Sequence, residues 1–255
     1  MVVATWNVNS IKARYDRAMA WLDKVSPDVL CLQELKMTDE AFPRDGFEQR
    51  GYHCSVYGQK TWNGVAIISK NPATNIRYGF GPGDDDPQSR LIAADIDGVT
   101  ILSAYFPNGK TVGSDKWDYK MMWMNKLRDY LFSDYSFSGP LLLCGDFNIA
   151  PTDDDVALPE KWKDSVLCFE QGRVALEKIR SLGFVDTMRL HHGEQGPFSW
   201  WDYRRLAFPK GDGLRIDHIY ASEAIADRCT DAYVDRDERK GEKPSDHAPV
   251  LAVFD

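Results

Sequence analysis

Leu141-Leu142-Leu143-Cys144-Gly145-Asp146-Phe147-Asn148 is an apolar run that ends in polar side chains. The run suits a strand in the middle of a sheet, and Gly145 lets the backbone break at the strand end. If the chain stays extended, Asp146 and Asn148 point to the same side. A carboxylate and an amide then share one spot beyond a sheet edge, where open α/β sheets bind ligands. Taken alone, the octamer fits a turn equally well, because Gly, Asp and Asn favour turns. Repetition elsewhere in the chain favours a site. Val2-Val3-Ala4-Thr5-Trp6-Asn7-Val8-Asn9 is a strand ending in amides, and Ser10 is a fitting N-cap for a helix over residues 11–25. Val29-Leu30-Cys31-Leu32-Gln33-Glu34 is another apolar strand, ending abruptly in an acid.

Further along, β patterns dominate residues 51–106: Tyr52 to Tyr57, Gly64 to Ser69, Ile76 to Phe80, then Leu91 to Asp95 and Val99 to Phe106 joined at Asp97-Gly98. These segments are expected to form one face of a sandwich. The Gly81–Pro87 stretch, with its glycines, prolines and acids, is a solvated loop to which no chemistry is assigned. Trp117, Met121, Met124 and Leu127 have the spacing of a buried helix face within residues 115–132. A helix is expected over Lys161 to Leu182, with Gly183 closing it. The last third alternates turns and strands, passing through Phe198-Ser199-Trp200-Trp201-Asp202-Tyr203-Arg204-Arg205 and Gly213-Leu214-Arg215-Ile216-Asp217-His218, and ends in a strand over Val250 to Phe254. Both halves share the strand-then-polar pattern and no linker divides them, so residues 1–255 are expected to form one domain.

The 255 residues are 43% hydrophobic, enough for a sizeable core, and carry 31 Lys and Arg against 39 Asp and Glu, a formal charge of -8. That balance argues against a general nucleic-acid coat protein. It leaves room for a nuclease, in which carboxylates hold a cation and only the surface touching phosphates is basic. The five cysteines are odd in number and widely spaced, which suggests neither a disulfide framework nor a zinc site. With no long apolar run, the expected setting is reducing and cytoplasmic, without membrane contact.

Collected together, the polar strand ends are Asn7, Glu34, Tyr105, Asp146, Asn148, Asp217, Asp246 and His247. Hard oxygen ligands suit Mg²⁺ or Mn²⁺ better than zinc, and such ions with carboxylates accompany phosphate chemistry. Trp6-Asn7-Val8-Asn9, Leu32-Gln33-Glu34, Asn63-Gly64-Val65-Ala66, Gly145-Asp146-Phe147-Asn148, Gly213-Leu214-Arg215-Ile216-Asp217 and Ser245-Asp246-His247 resemble, in order and from end to end, the exonuclease III family of AP endonucleases. The resemblance implies a four-layer α/β sandwich of two packed mixed β-sheets flanked by helices. It implies a monomer acting on double-stranded DNA: cleavage 5′ to abasic sites, 3′-to-5′ exonuclease action and removal of 3′ blocking groups, with Mg²⁺ as cofactor and Mn²⁺ as a substitute.

By the same resemblance, Glu34 binds the metal beside Asn7, and Asp246 completes that site. Asn9 stands where some relatives carry an acid. Asp146 orients or deprotonates the attacking water and Asn148 holds it. His247 contacts the phosphate with Asp217 on its far nitrogen, and Tyr105 and Asn108 also meet the phosphate. Trp200 and Ile216 wall a pocket for the base-free sugar, with Leu214 nearby. Trp200 and Trp201 are adjacent, so only one can face the site while the other packs in the core, and the resemblance selects Trp200. Lys110, Arg204, Arg205, Arg215 and Lys243 lie beside these motifs and are expected to form a phosphate-binding rim. The rival classes are a non-catalytic nucleic-acid-binding regulator of the same fold and a phosphatase acting on another phosphoester. The presence of all the acids disfavours the first; the Trp-Trp-Asp-Tyr-Arg segment and lack of a disulfide framework disfavour the second.

Overall fold

The computed structural model describes residues 1–193 and 195–255. Its elements run β1 (Val2–Asn7), α1 (Ile11–Val25), β2 (Val29–Gln33), α2 (Arg44–Glu48), β3 (His53–Tyr57), β4 (Val65–Ser69), β5 (Thr74–Tyr78), β6 (Leu91–Ile96) and β7 (Val99–Tyr105). They continue with α3 (Asp115–Asp134), β8 (Leu141–Asp146), α4 (Pro159–Trp162), α5 (Glu170–Arg180), β9 (Phe184–Asp186), α6 (Thr187–His191), α7 (Ala207–Lys210), β10 (Asp217–Ser222), α8 (Glu223–Ala226), β11 (Cys229–Val234) and β12 (Val250–Phe254).

The strands form two six-stranded sheets, ordered β11-β12-β1-β2-β4-β3 and β5-β6-β7-β8-β10-β9. Each sheet holds one parallel pair, β1 with β2 and β7 with β8, and the chain crosses between the partners through α1 and α3 respectively. All other pairings are antiparallel. The repeated strand-then-polar pattern now has a physical origin. Asn7, Gln33, Tyr105 and Asp146 are the last residues of the strands in these parallel pairs, the ends at which α/β sheets present ligand sites.

The sheets pack face to face on an apolar layer that includes Val3, Cys31, Ile67, Ile92, Ile101, Leu142, Cys144 and Ile219. Full burial of each Val, Leu or Ile there contributes about 1.5–3 kcal/mol. Outside the first sheet, Trp21 and Leu22 of α1 pack on Ala4, Leu30 and Leu32. Outside the second, Trp123, Leu127 and Leu131 of α3 and Leu176 and Ile179 of α5 cover Leu102, Leu141 and Leu143. The result is the expected four-layer sandwich. Ser10 caps α1, its hydroxyl accepting from the Ala13 N–H.

Two expectations are corrected. Residues 51–106 do not form one face: β3 and β4 pair within the first sheet, whereas β5, β6 and β7 belong to the second. The chain changes sheets in the turn after Ser69, which alternation within a strand cannot reveal. The helix over Lys161 to Leu182 is interrupted. A turn-rich segment separates α4 from α5 and turns Val166, Leu167 and Cys168 inward. Within Gly81–Pro87, Asp84 accepts from the Phe80 N–H and pairs with Lys126, so the loop is anchored by its acids rather than merely solvated. Among the described residues, no helix is long and apolar enough to cross a membrane.

Candidate active site

The second sheet sets the geometry by register. Asp146 ends β8 between two partners, opposite Tyr105 on β7 and Asp217 on β10, so these side chains stand in a row along one sheet end. Gly145 is required there because a Cβ would collide with the Ala104 carbonyl on β7. Beyond the strand, Asn148 adopts a left-handed backbone (φ 51°), which asparagine tolerates better than most residues. Its N–H bonds Asp146 Oδ1 at 2.9 Å, closing a local turn. The octamer is therefore both a turn and a site.

The first sheet brings the opposing wall. Asn7 closes β1 and donates Nδ2–H to Glu34 Oε1 and Asp146 Oδ2, both at 2.9 Å, linking the two sheets. Glu34 has φ 54° just past β2 and accepts the Tyr105 hydroxyl on Oε1 at 2.9 Å. Its Oε2 faces the Lys36 ammonium at 2.9 Å. Ser245-Asp246-His247 precedes β12, and the Ser245 hydroxyl donates to the Asn7 carbonyl at 2.7 Å. His247 Nδ1 lies 2.9 and 3.0 Å from the two Asp217 oxygens, while its Nε2 faces Asp146 Oδ2 at 3.8 Å. Ser199 donates to Asp217 from behind at 2.6 Å. On the far side, Asn148 Nδ2 donates to Asp146 Oδ2 and the Phe106 carbonyl, and its Oδ1 accepts from Asn108 Nδ2 at 2.9 Å.

This burial has electrostatic consequences. Loss of hydration pushes the Asp146 carboxyl up, Asp217 adds to that push and His247 opposes it, leaving it at about 7. Burial alone would lower the His247 imidazole, but Asp217, Asp146 and Asp246 outweigh it and raise the group to about 10. His247 is accordingly an imidazolium at neutral pH, donating from Nδ1 to Asp217 and presenting Nε2–H to the cavity. Burial, with Glu34 beside it, holds the Tyr105 phenol well above its ordinary range, so its hydroxyl stays a donor.

These groups line a cavity of about 230 Å³ walled by Glu34, Tyr105, Asn108, Asp146, Asn148, Leu167, Trp200, Ile216, Asp246 and His247. Glu34, Asp146 and His247 each place one potential ligand atom within 4.8 Å of the others. With His247 Nδ1 engaged by Asp217, the hard donors of this group are the two carboxylates, which suit a cation that keeps much of its water. Next to the cavity, an open groove of about 780 Å³ shares Tyr105 and Asn108 and is lined also by Trp62, Arg90, Lys110, Lys116 and Tyr119.

Several expected roles change. Asn7 turns its NH₂ end to the acids, its Oδ1 accepting the Asn9 N–H at 2.9 Å. Asp246 lines the cavity, but its oxygens accept from Asn9 Nδ2 at 2.9 Å and Trp200 Nε1 at 3.0 Å. Arg215 is not on a rim. It is 1% exposed and clamped between Asp155 and Asp186. Lys110, Arg204, Arg205 and Lys243 are exposed, though Arg204 pairs with Asp202 at 2.8 Å. Leu214 is fully buried in the apolar cluster behind the cavity, together with Val156 and Trp117. Leu167 forms part of the wall instead. Sequence reading missed it because a continuous helix was expected there; the apolar Val166-Leu167-Cys168 run was the available signal. Trp200 is half-buried against Trp162 and lines the cavity, whereas Trp201 is 1% exposed in the apolar cluster with Ala207 and Ala248.

The family model for the endonuclease/exonuclease/phosphatase family matches residues 4–247. Exodeoxyribonuclease III of Haemophilus influenzae is 37% identical over 266 aligned residues, with 100% of both chains covered. Among solved structures, an AP endonuclease from Archaeoglobus fulgidus superposes with a TM-score of 0.97 at 40% identity, covering 100% of this chain and 99% of that one. A 3′ phosphatase from Neisseria bound to a product DNA hairpin also has a TM-score of 0.97, at 41% identity and the same coverage. The chain therefore belongs to the endonuclease/exonuclease/phosphatase family, on its exodeoxyribonuclease III branch.

Proposed function

We propose that this chain is a DNA-repair nuclease that hydrolyses the phosphodiester 5′ to an abasic site in duplex DNA, and that also removes nucleotides and blocking groups from 3′ ends. The observation that carries this reading is the convergence of Glu34, Tyr105, Asp146, Asn148, Asp217 and His247 in one cavity. Asp146 accepts, on one carboxylate oxygen, a proton from a water that attacks phosphorus in line, and Asn148 orients that water. His247 Nε2–H and Asn108 donate to the phosphate oxygens, the Tyr105 hydroxyl joins them by turning its one proton from Glu34 to the phosphate, and Asp217 keeps His247 protonated and aligned. The bond from phosphorus to the 3′ oxygen breaks, leaving a 3′ hydroxyl. Glu34 and Asp146 would hold a Mg²⁺ ion, or Mn²⁺ in its place, which supplies charge neutralisation at the phosphate.

The groove along Trp62, Lys110 and Lys116 supports a nucleic-acid substrate, giving an acidic protein a local cationic and aromatic path. Trp200, Ile216 and Leu167 are suited to admit a sugar without its base. Residues 1–255 acting as one domain is supported by the pairing of β1 with β12, which ties the two ends of the chain together. A monomer fits a cavity made by one chain, and the free cysteines fit a reducing, cytoplasmic setting.

The test uses fluorescent duplexes carrying an abasic analogue, a recessed 3′ end or a 3′ phosphate, each with EDTA, Mg²⁺ or Mn²⁺. Hydrolysis with a cation, none with EDTA, and loss by a factor on the order of a hundred in Asp146→Asn at retained DNA binding is the expected result. Tight DNA binding without hydrolysis under any condition would favour the non-catalytic regulator.

A further inference from the structure

Lys120 is a charged residue that the chemistry above does not use. It lies on the inner face of α3 and is fully buried. A lysine in such a place is costly unless its ammonium protons are satisfied. Here Nζ donates to the carbonyl of Asn148 at 2.8 Å, of Val166 at 2.9 Å and of Asn108 at 3.2 Å. Among the described residues, no carboxylate lies within ion-pair distance of it. The ring of Trp117 covers one side at 5.5 Å.

Those carbonyls come from separate segments. Asn108 follows β7, Asn148 follows β8 in its left-handed conformation, and Val166 precedes Leu167 in the stretch that interrupts the expected helix. None of these segments has a ladder of its own at that point, so inward carbonyls would lack partners without the ammonium group. One side chain of α3 thus joins the backbones that carry two cavity amides and the apolar wall.

We propose that Lys120 is a positioning residue for the hydrolytic site, its ammonium group acting as a fixed knot that sets Asn108, Asn148 and the Leu167 wall relative to Asp146. The proposal rests on Asn108 and Asn148 serving phosphate hydrolysis. It assigns Lys120 no contact with substrate. Its effect is on distances: Asn108 Nδ2 reaches Asn148 Oδ1, and Asn148 Nδ2 reaches Asp146, only while both backbones stay where Nζ holds them.

The experiment compares Lys120→Met, which removes the donors, with Leu127→Ala, a cavity further along the same buried face of α3 whose apolar side chain makes no hydrogen bond to the site loops. Both are measured for Tm, for kcat and KM on a 3′-phosphate duplex with Mg²⁺, and for side-chain amide resonances of Asn108 and Asn148. Lys120→Met should lower kcat by about tenfold to a hundredfold, as for misplacements on the order of 1 Å. Its KM should change far less, and both amide resonances should move. Leu127→Ala should show a comparable fall in Tm with near wild-type kcat and unmoved amides. If Lys120→Met fails to fold, Lys120→Gln, which keeps two donors, should show the same pattern in smaller measure. Wild-type kcat and unmoved amides in a folded Lys120 variant would overturn the proposal, as would losses of kcat that simply track Tm in both variants. An inactive wild type would instead overturn the hydrolase reading, and the amide resonances would still report on the knot.

Discussion

Arg215→Met replaces a fully buried guanidinium with an apolar side chain of similar length, and the consequences can be worked from its partners. Arg215 Nε donates to Asp155 Oδ1 at 2.7 Å, and Nη1 and Nη2 donate to the two Asp186 oxygens at 2.9 and 2.7 Å. Asp155 retains Arg189 and the Thr152 N–H and hydroxyl after the substitution. Among the described residues, Asp186 then keeps the Met188 N–H, at 3.1 Å. Breaking a buried pair in this way costs about 3–5 kcal/mol, because a carboxylate is left buried without its counter-charge. At about 2–4 °C per kcal/mol for a chain of this size, a loss near 4 kcal/mol lowers Tm by roughly 8–16 °C. The sign of the pH effect follows from the same groups. In the native protein burial would raise Asp155, but Arg215 and Arg189 outweigh it and hold the carboxyl down at about 2. A depressed carboxyl contributes stability that is present above the unfolded value of about 3.9 and is lost as pH falls through 2. Without Arg215, burial pushes both acids up, so the variant can relieve itself by binding protons. The deficit should therefore be largest at pH 7 and shrink toward pH 4. Melts of both proteins across that range, with DNA affinity measured against salt, are the assay. A fall in Tm under about 3 °C at pH 7, or a deficit that grows on acidification, would refute the buried-clamp assignment. So would a salt slope reduced by about one, the change expected for Lys110→Gln if that exposed lysine touches phosphate.

Asp217→Asn and His247→Gln each remove half of one hydrogen-bonded unit, so their losses in kcat should not add. A double variant that falls by the product of the single effects would show that the residues act independently. Trp201→Ala empties a site that is 1% exposed and should cost about 3–5 kcal/mol, seen as a large fall in Tm with modest kinetic change. Trp200→Ala should instead lower abasic-site cleavage more than exonuclease action, and equal losses of both activities would show that Trp200 does not shape a sugar pocket.

Much of the site was legible because it lies where local pattern changes. An unbroken apolar run identifies a buried strand, and a polar residue at its end stands out without any knowledge of neighbours. Asp146, Glu34 and Tyr105 were found in this way, and the first two also stand in stretches that resemble a known family. The interruption between α4 and α5 was not legible, since Lys161 to Leu182 contains good helix formers. There Lys120, from outside the segment, binds the Val166 carbonyl, and Leu167 is buried beside it. Arg215 illustrates the same limit for charge. Nothing adjacent to it in sequence says that Asp155, separated by 60 positions, and Asp186, by 29, will surround it.

The amino-acid sequence by itself determined where β1, β2, β7, β8 and β12 run, though not β9 or β11, which of the strand ends are polar and, through ordered motifs, the family to which the chain belongs. Those properties depend on apolar runs and local backbone preference, which act over a few residues. Only the tertiary structure decided that β4 and β5 belong to different sheets, that Asn7 turns its NH₂ rather than its oxygen to the acids, that Leu167 rather than Leu214 walls the cavity, and that one charged side chain is a clamp while another is exposed. Each of these depends on which distant partner satisfies a buried donor or acceptor, and that is settled only when the two sheets pack and close off water.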